Sequence, residues 1–389
     1  MDRWAWRLGV VGVALAVLVG CAPRAAPPAA APPALSSSAA SGGGVASAAS
    51  SPAASGGAAA PAAASGGDDS AVAAFYRGKT IRIVVGLSPG GGYDLTSRLL
   101  ARYMAARIPG NPTIIVENRP GAGTMLAANA VYASEPKDGT VIGNFDSSLV
   151  LLQALGATGI GYDATRFNWL GATVKDVTGC LVRADAVASV QDTIAGKEVV
   201  LGALALGNNS YDVPTVLNAT LGTHFKMVPG YGGTAQFRLA VENQETDGYC
   251  VTYRSAILVN DQPWLSGDPP YARMLVVMGD KPPDSPFLRG VPTAESLATS
   301  DEARELLRVV DAPQVINKPY AVAPEVPPER VAALRRALME TYADPQFLAE
   351  AKRANLDVDP SDAAEVTRVV QSVLGASPGA LARLKEIIK

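Results

Sequence analysis

Between residues 81 and 148 the sequence repeats one phrase three times: a short apolar run, a loop of glycine or small polar residues, then helical spacing. Ile81 to Val85, "IRIVV", is β-branched, and a glycine-rich loop follows it. Asp94 is placed to cap a helix whose apolar residues Leu95, Leu99, Leu100, Tyr103 and Met104 share one face. Thr113 to Glu117 reads as the next strand, Asn118 to Gly123 as its loop and Thr124 to Ser134 as its helix. Thr140 to Phe145 is a third strand, and Asp146-Ser147-Ser148 starts a third helix. Three such units in a row predict a parallel sheet with crossover helices.

A second α/β set begins after about Leu181. Strands are expected at Glu198–Leu204, His224–Val228, Gly248–Tyr253 and Arg273–Met278, with helices to about Leu221 and near Ala235–Asn243. After a last strand at Tyr320–Val322 the chain reads as helical: Pro328–Tyr342, Pro345–Ala354, Ser361–Leu374 and Pro378–Ile388. A long helical tail needs a sheet to cover, and the simplest arrangement returns it to the first domain. The chain then crosses between domains near 178–182 and 314–320. Domain 1 is expected at 75–180 and 317–389, and domain 2 at 181–316.

The first residues carry a different signal. Arg3 and Arg7 precede the apolar run Leu8 to Val19, which ends in "LVGC" at Cys21. The run falls short of the ~20 apolar residues that span a bilayer. It reads as a signal peptide over 1–20 with a lipobox-like cleavage site, so lipidation of Cys21 is expected. Residues 22 to 67 are almost wholly Ala, Pro, Ser and Gly, which cannot bury a core. A tether over 21–74 is expected, holding the folded body away from the membrane.

About 315 residues remain from Phe75, enough for two domains. The net charge of −3 gives no basic footprint for nucleic acid. With Cys21 set aside, Cys180 and Cys250 are either a disulfide, which an exported compartment permits, or two free thiols.

The motifs restrict the chemistry. Gly86-Leu87-Ser88-Pro89-Gly90 fits the G-x-S-x-G pattern of a nucleophile elbow. Pro89, however, lacks the N–H that an oxyanion hole would use there, and the one histidine, His224, opens an apolar strand. "RGKT" at 77–80 ends like a phosphate-binding loop, but Ala73 stands where its first glycine should be. No His/Cys cluster has metal-ligand spacing, and no metal or cofactor is expected. What remains is physical: glycines at 90–92, at 121 and 123, and in "PGYGG" let backbone approach a ligand at helix starts, where unpaired N–H groups favour anions.

"SPGGGYDLTSRLLA", "IIVENRPGAGTMLAAN" and "PKDGTVIG", followed by "VPGYGGTAQFRLAVENQETDG", "VPTAESLA" and "YAVAPEVPPERVAALRRAL", resemble the substrate-binding proteins of tripartite tricarboxylate transporters, the TctC or Bug family. The resemblance covers roughly residues 75 to 389. It implies a periplasmic-binding-protein-like Venus flytrap of two α/β domains with two crossovers and a ligand cleft. The function it implies is capture of a small organic carboxylate outside the cytoplasmic membrane and delivery to membrane transporter subunits, with no covalent chemistry and with the protein acting as a monomer. The expected first-domain cradle is Ser88, Gly91, Gly92, Tyr93, Asp94, Gly121, Ala122 and Gly123, with Asp146 and Ser147 at the third loop. The second domain is expected to contribute Asn209, Ser210, Tyr231, Gly233, Thr234, Tyr253 and Arg254. Asp94 reads as a helix cap more than an anion ligand, and Arg254 as either a partner for a distal carboxylate or a solvated surface residue. Two departures stand near the expected ligand: "GNNSYD" at 207–212 replaces the family's Gly-Ser…His phrase, and Thr124 stands where many members have glycine. The rival readings are an exported enzyme acting on a carboxylated substrate, or a sensor reporting its ligand to a membrane signalling partner.

Overall fold

The structure is a computed structural model, and it describes residues 66–389. The expected signal peptide, Cys21 and most of the expected tether lie outside the described residues. The end of that tether does not behave as one. Gly66–Tyr76 is a helix whose Val72 and Tyr76 are buried against the helix Pro328–Tyr342. Val72, Phe75 and Tyr76 share a face at helical spacing, which a composition-based boundary at residue 74 overlooks.

Eleven strands are described: β1 Thr80–Val85, β2 Thr113–Asn118, β3 Val141–Asn144, β4 Asn168–Val174, β5 Thr178–Arg183, β6 Val199–Gly202, β7 Phe225–Val228, β8 Gly248–Thr252, β9 Ala272–Val277, β10 Asn317–Val322 and β11 Ser361–Asp362. They form two sheets, ordered β11-β4-β10-β3-β1-β2 and β7-β6-β8-β5-β9. β1 lies between β2 and β3, parallel to both, with Ile83 opposite Val116 on one side and Ile142 on the other. Helices cover both faces, so β1 is apolar apart from Thr80 and Arg82: Val84 points into one cluster, Ile81, Ile83 and Val85 into another, while Arg82 pairs with Glu117 and Glu135.

The sheets are mixed, where the sequence predicts a parallel one. β10 runs antiparallel to β3 and β4, and β5 antiparallel to β8 and β9. The chain leaves the first sheet after Val174, enters the second at Thr178 and re-enters the first at Asn317. A strand arriving from the other lobe has no crossover helix of its own, so the handedness rule for parallel units does not bind it. The first crossing therefore lies at 175–177, ahead of the expected one. β4 escapes a sequence reading because Gly171 and Thr173 interrupt its apolar run.

Cys180 and Cys250 face each other on adjacent antiparallel strands and are joined by a disulfide, which closes a sequence separation of 70. One apolar cluster runs beneath both sheets, uniting Phe145, Trp169 and Ala321 with Cys180, Leu201 and Leu275. The tail helices divide their contacts. Pro328–Tyr342 and Ala363–Leu374 pack on β4, but Pro378–Ile387 rests on Asp301–Asp311 and Asn209–Leu221, which belong with the second sheet. The last helix thus departs from the expected return to the first domain. Its partner Asp301–Asp311 supplies Leu306, Leu307 and Val310 as an apolar face.

Candidate functional site

The carboxyl ends of β1, β3, β6 and β8 point toward one another across a cleft, the usual place for a ligand in open α/β sheets. Three pairs of loops close around it. Ser88 approaches Gly232, since a Cβ on Gly232 would lie 3.2 Å from Ser88 Oγ. Gly92 approaches Ser255 so closely that a Cβ would sit 2.7 Å from the Ser255 carbonyl oxygen. Asn208 donates from Nδ2 to Asp146 Oδ2 at 3.0 Å. These contacts border a half-open cavity of about 220 Å³. That is room for a small molecule.

Each wall has a chemical character. The helix Gly92–Met104 begins at Gly91, whose N-cap position carries no side-chain hydrogen bond. The helix Thr234–Glu242 begins the same way at Gly233, which has φ 151°. Gly91, Gly92, Gly233 and Thr234 line the cavity, so two helix starts with uncapped first-turn N–H groups meet there. Asn209 and Thr252 add polar groups, and Gln236 accepts the Gly232 N–H at 2.6 Å. Leu87, Pro89, Leu204, Phe237, Val251 and Ala256 make the remainder apolar. No Lys, Arg or His lines the cavity among the described residues.

Asp146 is the one carboxylate in the wall. Burial raises its pKa against the hydrogen bonds from Ser148 and Asn208. Behind it Asp212 accepts the Gly207 N–H at 2.9 Å and is pushed up to about 7, first by burial and then by the charge of Asp146. Tyr93 lines the floor and donates to Asn317 Oδ1 at 2.6 Å; Asn317 Nδ2 donates to Ser255 Oγ at 2.6 Å, and Ser255 Oγ to Thr252 Oγ1 at 2.9 Å. This relay ties the first lobe's floor to the second.

Of the residues expected from sequence, Ser88, Gly91, Gly92, Tyr93, Asp146, Asn209, Gly233 and Thr234 line the cavity. Gly121, Ala122 and Gly123 instead line an adjoining space of about 250 Å³ together with Tyr231. The two spaces share Leu87, Leu204 and Gly232. Thr124 is buried there with φ 77°, a left-handed backbone that suits glycine.

Five expected residues point elsewhere. Asp94 accepts the Gly90 N–H at 2.9 Å and pairs with Arg98, which together hold its pKa below the ordinary value although burial pulls the other way. Ser147 is fully buried beside Asp146, its Oγ without a hydrogen-bond partner. Ser210 Oγ donates to Asn208 at 2.7 Å and accepts the Leu204 N–H, bracing the loop. Tyr253 is buried with its hydroxyl 2.5 Å from Ser285 Oγ. Arg254 is held by Asp357 at 2.5 Å and Asp359 at 3.0 Å, a strut between lobes. A binding arginine needs its charge free, and this one is committed.

The hydrolase pattern has no support in the geometry. His224 bonds the Thr193 carbonyl through Nδ1 at 2.9 Å, at the start of the strand remote from Ser88.

No family model matches the chain. In sequence it is similar to a UPF0065 protein of Cupriavidus necator, 31% identical over 165 residues covering 40% of this chain and 48% of that protein. A UPF0065 protein of Bordetella pertussis is 26% identical over 194 residues, 48% of this chain and 58% of the relative. The chain thus spans about half the length of the curated relatives it matches. In structure it is similar to the periplasmic binding protein BugD, with TM-score 0.63 at 19% identity over 80% of this chain and 98% of the other. A TctC solute binding protein from Polaromonas gives TM-score 0.54 at 20% identity over 80% and 99%. The fold is that of Bug- and TctC-type solute-binding proteins. MatC from Rhodopseudomonas palustris, solved with bound malate, shares it with TM-score 0.60 at 18% identity over 80% and 99%.

Within this fold, the cavity also uses residues that sequence reading passes over. Asn208 caps the helix Asn209–Leu221, accepting the Ser210 N–H at 3.0 Å, and its "GNNS" position could have marked it as an N-cap. Leu204, Phe237, Val251 and Ala256 carry no such mark, because a cavity-lining apolar residue reads as core until the lobes are placed.

Proposed function

We propose that the protein is an extracytoplasmic receptor that captures a small organic carboxylate between its lobes and delivers it to a tripartite tricarboxylate-type membrane transporter. The observation that carries this reading is the pair of uncapped helix starts, one from each lobe, facing one cavity. Their N–H groups suit a carboxylate, and the apolar remainder suits a hydrocarbon body. The malate bound in MatC, and the adipate bound in another Rhodopseudomonas palustris protein of this fold (TM-score 0.59, 20% identity over 79% of this chain and 97% of the other), support the ligand class. The lipobox-like "LVGC" supports an anchor at Cys21. Domain closure would shift an open–closed equilibrium and present the loaded form to the transporter.

The test is calorimetric titration of the soluble body with mono-, di- and tricarboxylates. Micromolar or tighter binding of one class, with a matching rise in melting temperature, is the expected outcome. No heat and no thermal shift across the set, from protein stripped of carried-over ligand, would refute it.

A further inference from the structure

The wall of the cavity holds no cation, but one lies directly behind it. Lys318 is 1% exposed. Its Nζ lies 3.5 Å from the Ser255 carbonyl oxygen and 3.3 Å from where a Cβ on Gly92 would be. Gly92 and Ser255 both line the cavity. The ammonium is also 5.9 Å from the ring centroid of Tyr93, a third lining residue.

Among the described residues the ammonium has no salt-bridge partner, and the charges of Asp176 and Asp357 reach it only from beyond salt-bridge distance. Neither acid turns its oxygens to the ammonium: Asp176 accepts the backbone N–H groups of Val177, Arg254 and Ser255 at 2.9, 2.8 and 2.8 Å, and Asp357 is held by Arg254. Burying a lysine without a partner is costly. The backbone adds to this cost, because Lys318 has φ 57° and precedes Pro319. Strain and an unpaired buried charge coinciding at one residue, next to a binding cavity, point to a role there.

We propose that Lys318 is the internal counter-cation of the binding cleft, neutralising the ligand carboxylate from behind the Gly92–Ser255 wall and so selecting acids over their neutral analogues. This rests on the receptor reading above. It explains how a cavity lined by Asp146 and by no basic side chain takes an anion. Burial draws the Lys318 pKa down to about 8, which leaves it charged at neutral pH.

The experiment compares wild type, K318M and K318Q by calorimetry with adipate, malate and benzoate, each beside its amide, and reads ligand-free melting temperature in parallel. The expected result is a wild type that prefers acid to amide and variants whose acid affinity falls roughly tenfold or more. Amide affinity should stay within about threefold, a split that loosened packing would not produce. The ligand-free melting temperature of each variant separates a loss of fold from a loss of binding. Equal acid affinity in wild type and variants, or a parallel loss for acid and amide, overturns the inference while leaving the receptor intact. Failure of both variants to fold also overturns it, by placing Lys318 in the packing. A wild type that binds none of the acids refutes the receptor reading itself.

Discussion

Gly92→Ala isolates the closure of the cleft from the stability of the fold. Gly92 is in the first turn of the helix Gly92–Met104 and has no left-handed backbone requirement. Alanine there should favour the helix by about 0.5–1 kcal/mol. The added methyl would lie 2.7 Å from the Ser255 carbonyl oxygen, where ordinary contact begins near 3.4 Å. The second lobe's wall must therefore retreat by several tenths of an ångström. A gap of ~0.5–1 Å forfeits a quarter to a half of each contact along the seam. It also stretches the Asn317–Ser255 hydrogen bond, now 2.6 Å, which is worth about 1 kcal/mol. Together these predict a loss of ~1–3 kcal/mol in the closed, ligand-bound form, or about 5- to 150-fold in affinity. Chemical denaturation of the ligand-free protein should move little, because the helix gain offsets part of the seam loss. The paired assays are urea denaturation without ligand and calorimetry with the best-bound carboxylate. If Gly92→Ala binds as tightly as wild type, the Gly92–Ser255 approach is not part of the binding-competent form, and the cavity loses its significance.

Three further outcomes follow from the same geometry. Replacing both Cys180 and Cys250 by alanine reopens a 70-residue loop and should cost about 4 kcal/mol by the chain-entropy estimate, read as a lower urea midpoint than that of oxidised wild type. Asp212, Asp261 and Asp311 are each pushed up to about 7, chiefly by burial. The folded state thus holds more protons than the unfolded one between about pH 4 and 7, and unfolding free energy should fall as pH rises through that window; Asp212→Asn should flatten the slope, and an unchanged slope would exclude Asp212 as a source. Arg254→Met should cost no more than about 1 kcal/mol and lower carboxylate affinity by no more than about fivefold, because its ion pairs with Asp357 and Asp359 are partly exposed; a loss well beyond tenfold would return Arg254 to the binding site.

Local chemistry was legible in the sequence where it repeats. The β1 strand and its glycine loop, the Asn118–Gly123 loop and the helix Pro328–Tyr342 stand where periodicity and turn residues place them. What stayed hidden was relational. Arg254 reads the same whether it faces a ligand or Asp357, and only the tertiary fold brings the segment after Arg353 beneath it. Lys318 sits in "INKPYAV", a phrase that reads as an edge before a strand, and neither its burial nor its left-handed backbone has a sequence signature. The cavity's apolar wall was missed for the same reason: Phe237 satisfies helical periodicity as a core residue and lines the cleft as well.

The division of the terminal helices has a practical consequence. The first described helix, Gly66–Tyr76, is fixed to the body of the first sheet, and the last, Pro378–Ile387, to helices of the second. A donor dye on one and an acceptor on the other would ride on different halves of the molecule. If the lobes close on a ligand as proposed, labels at the exposed Ser70 and Arg383 would turn occupancy into a change of energy transfer without inserting anything into the chain.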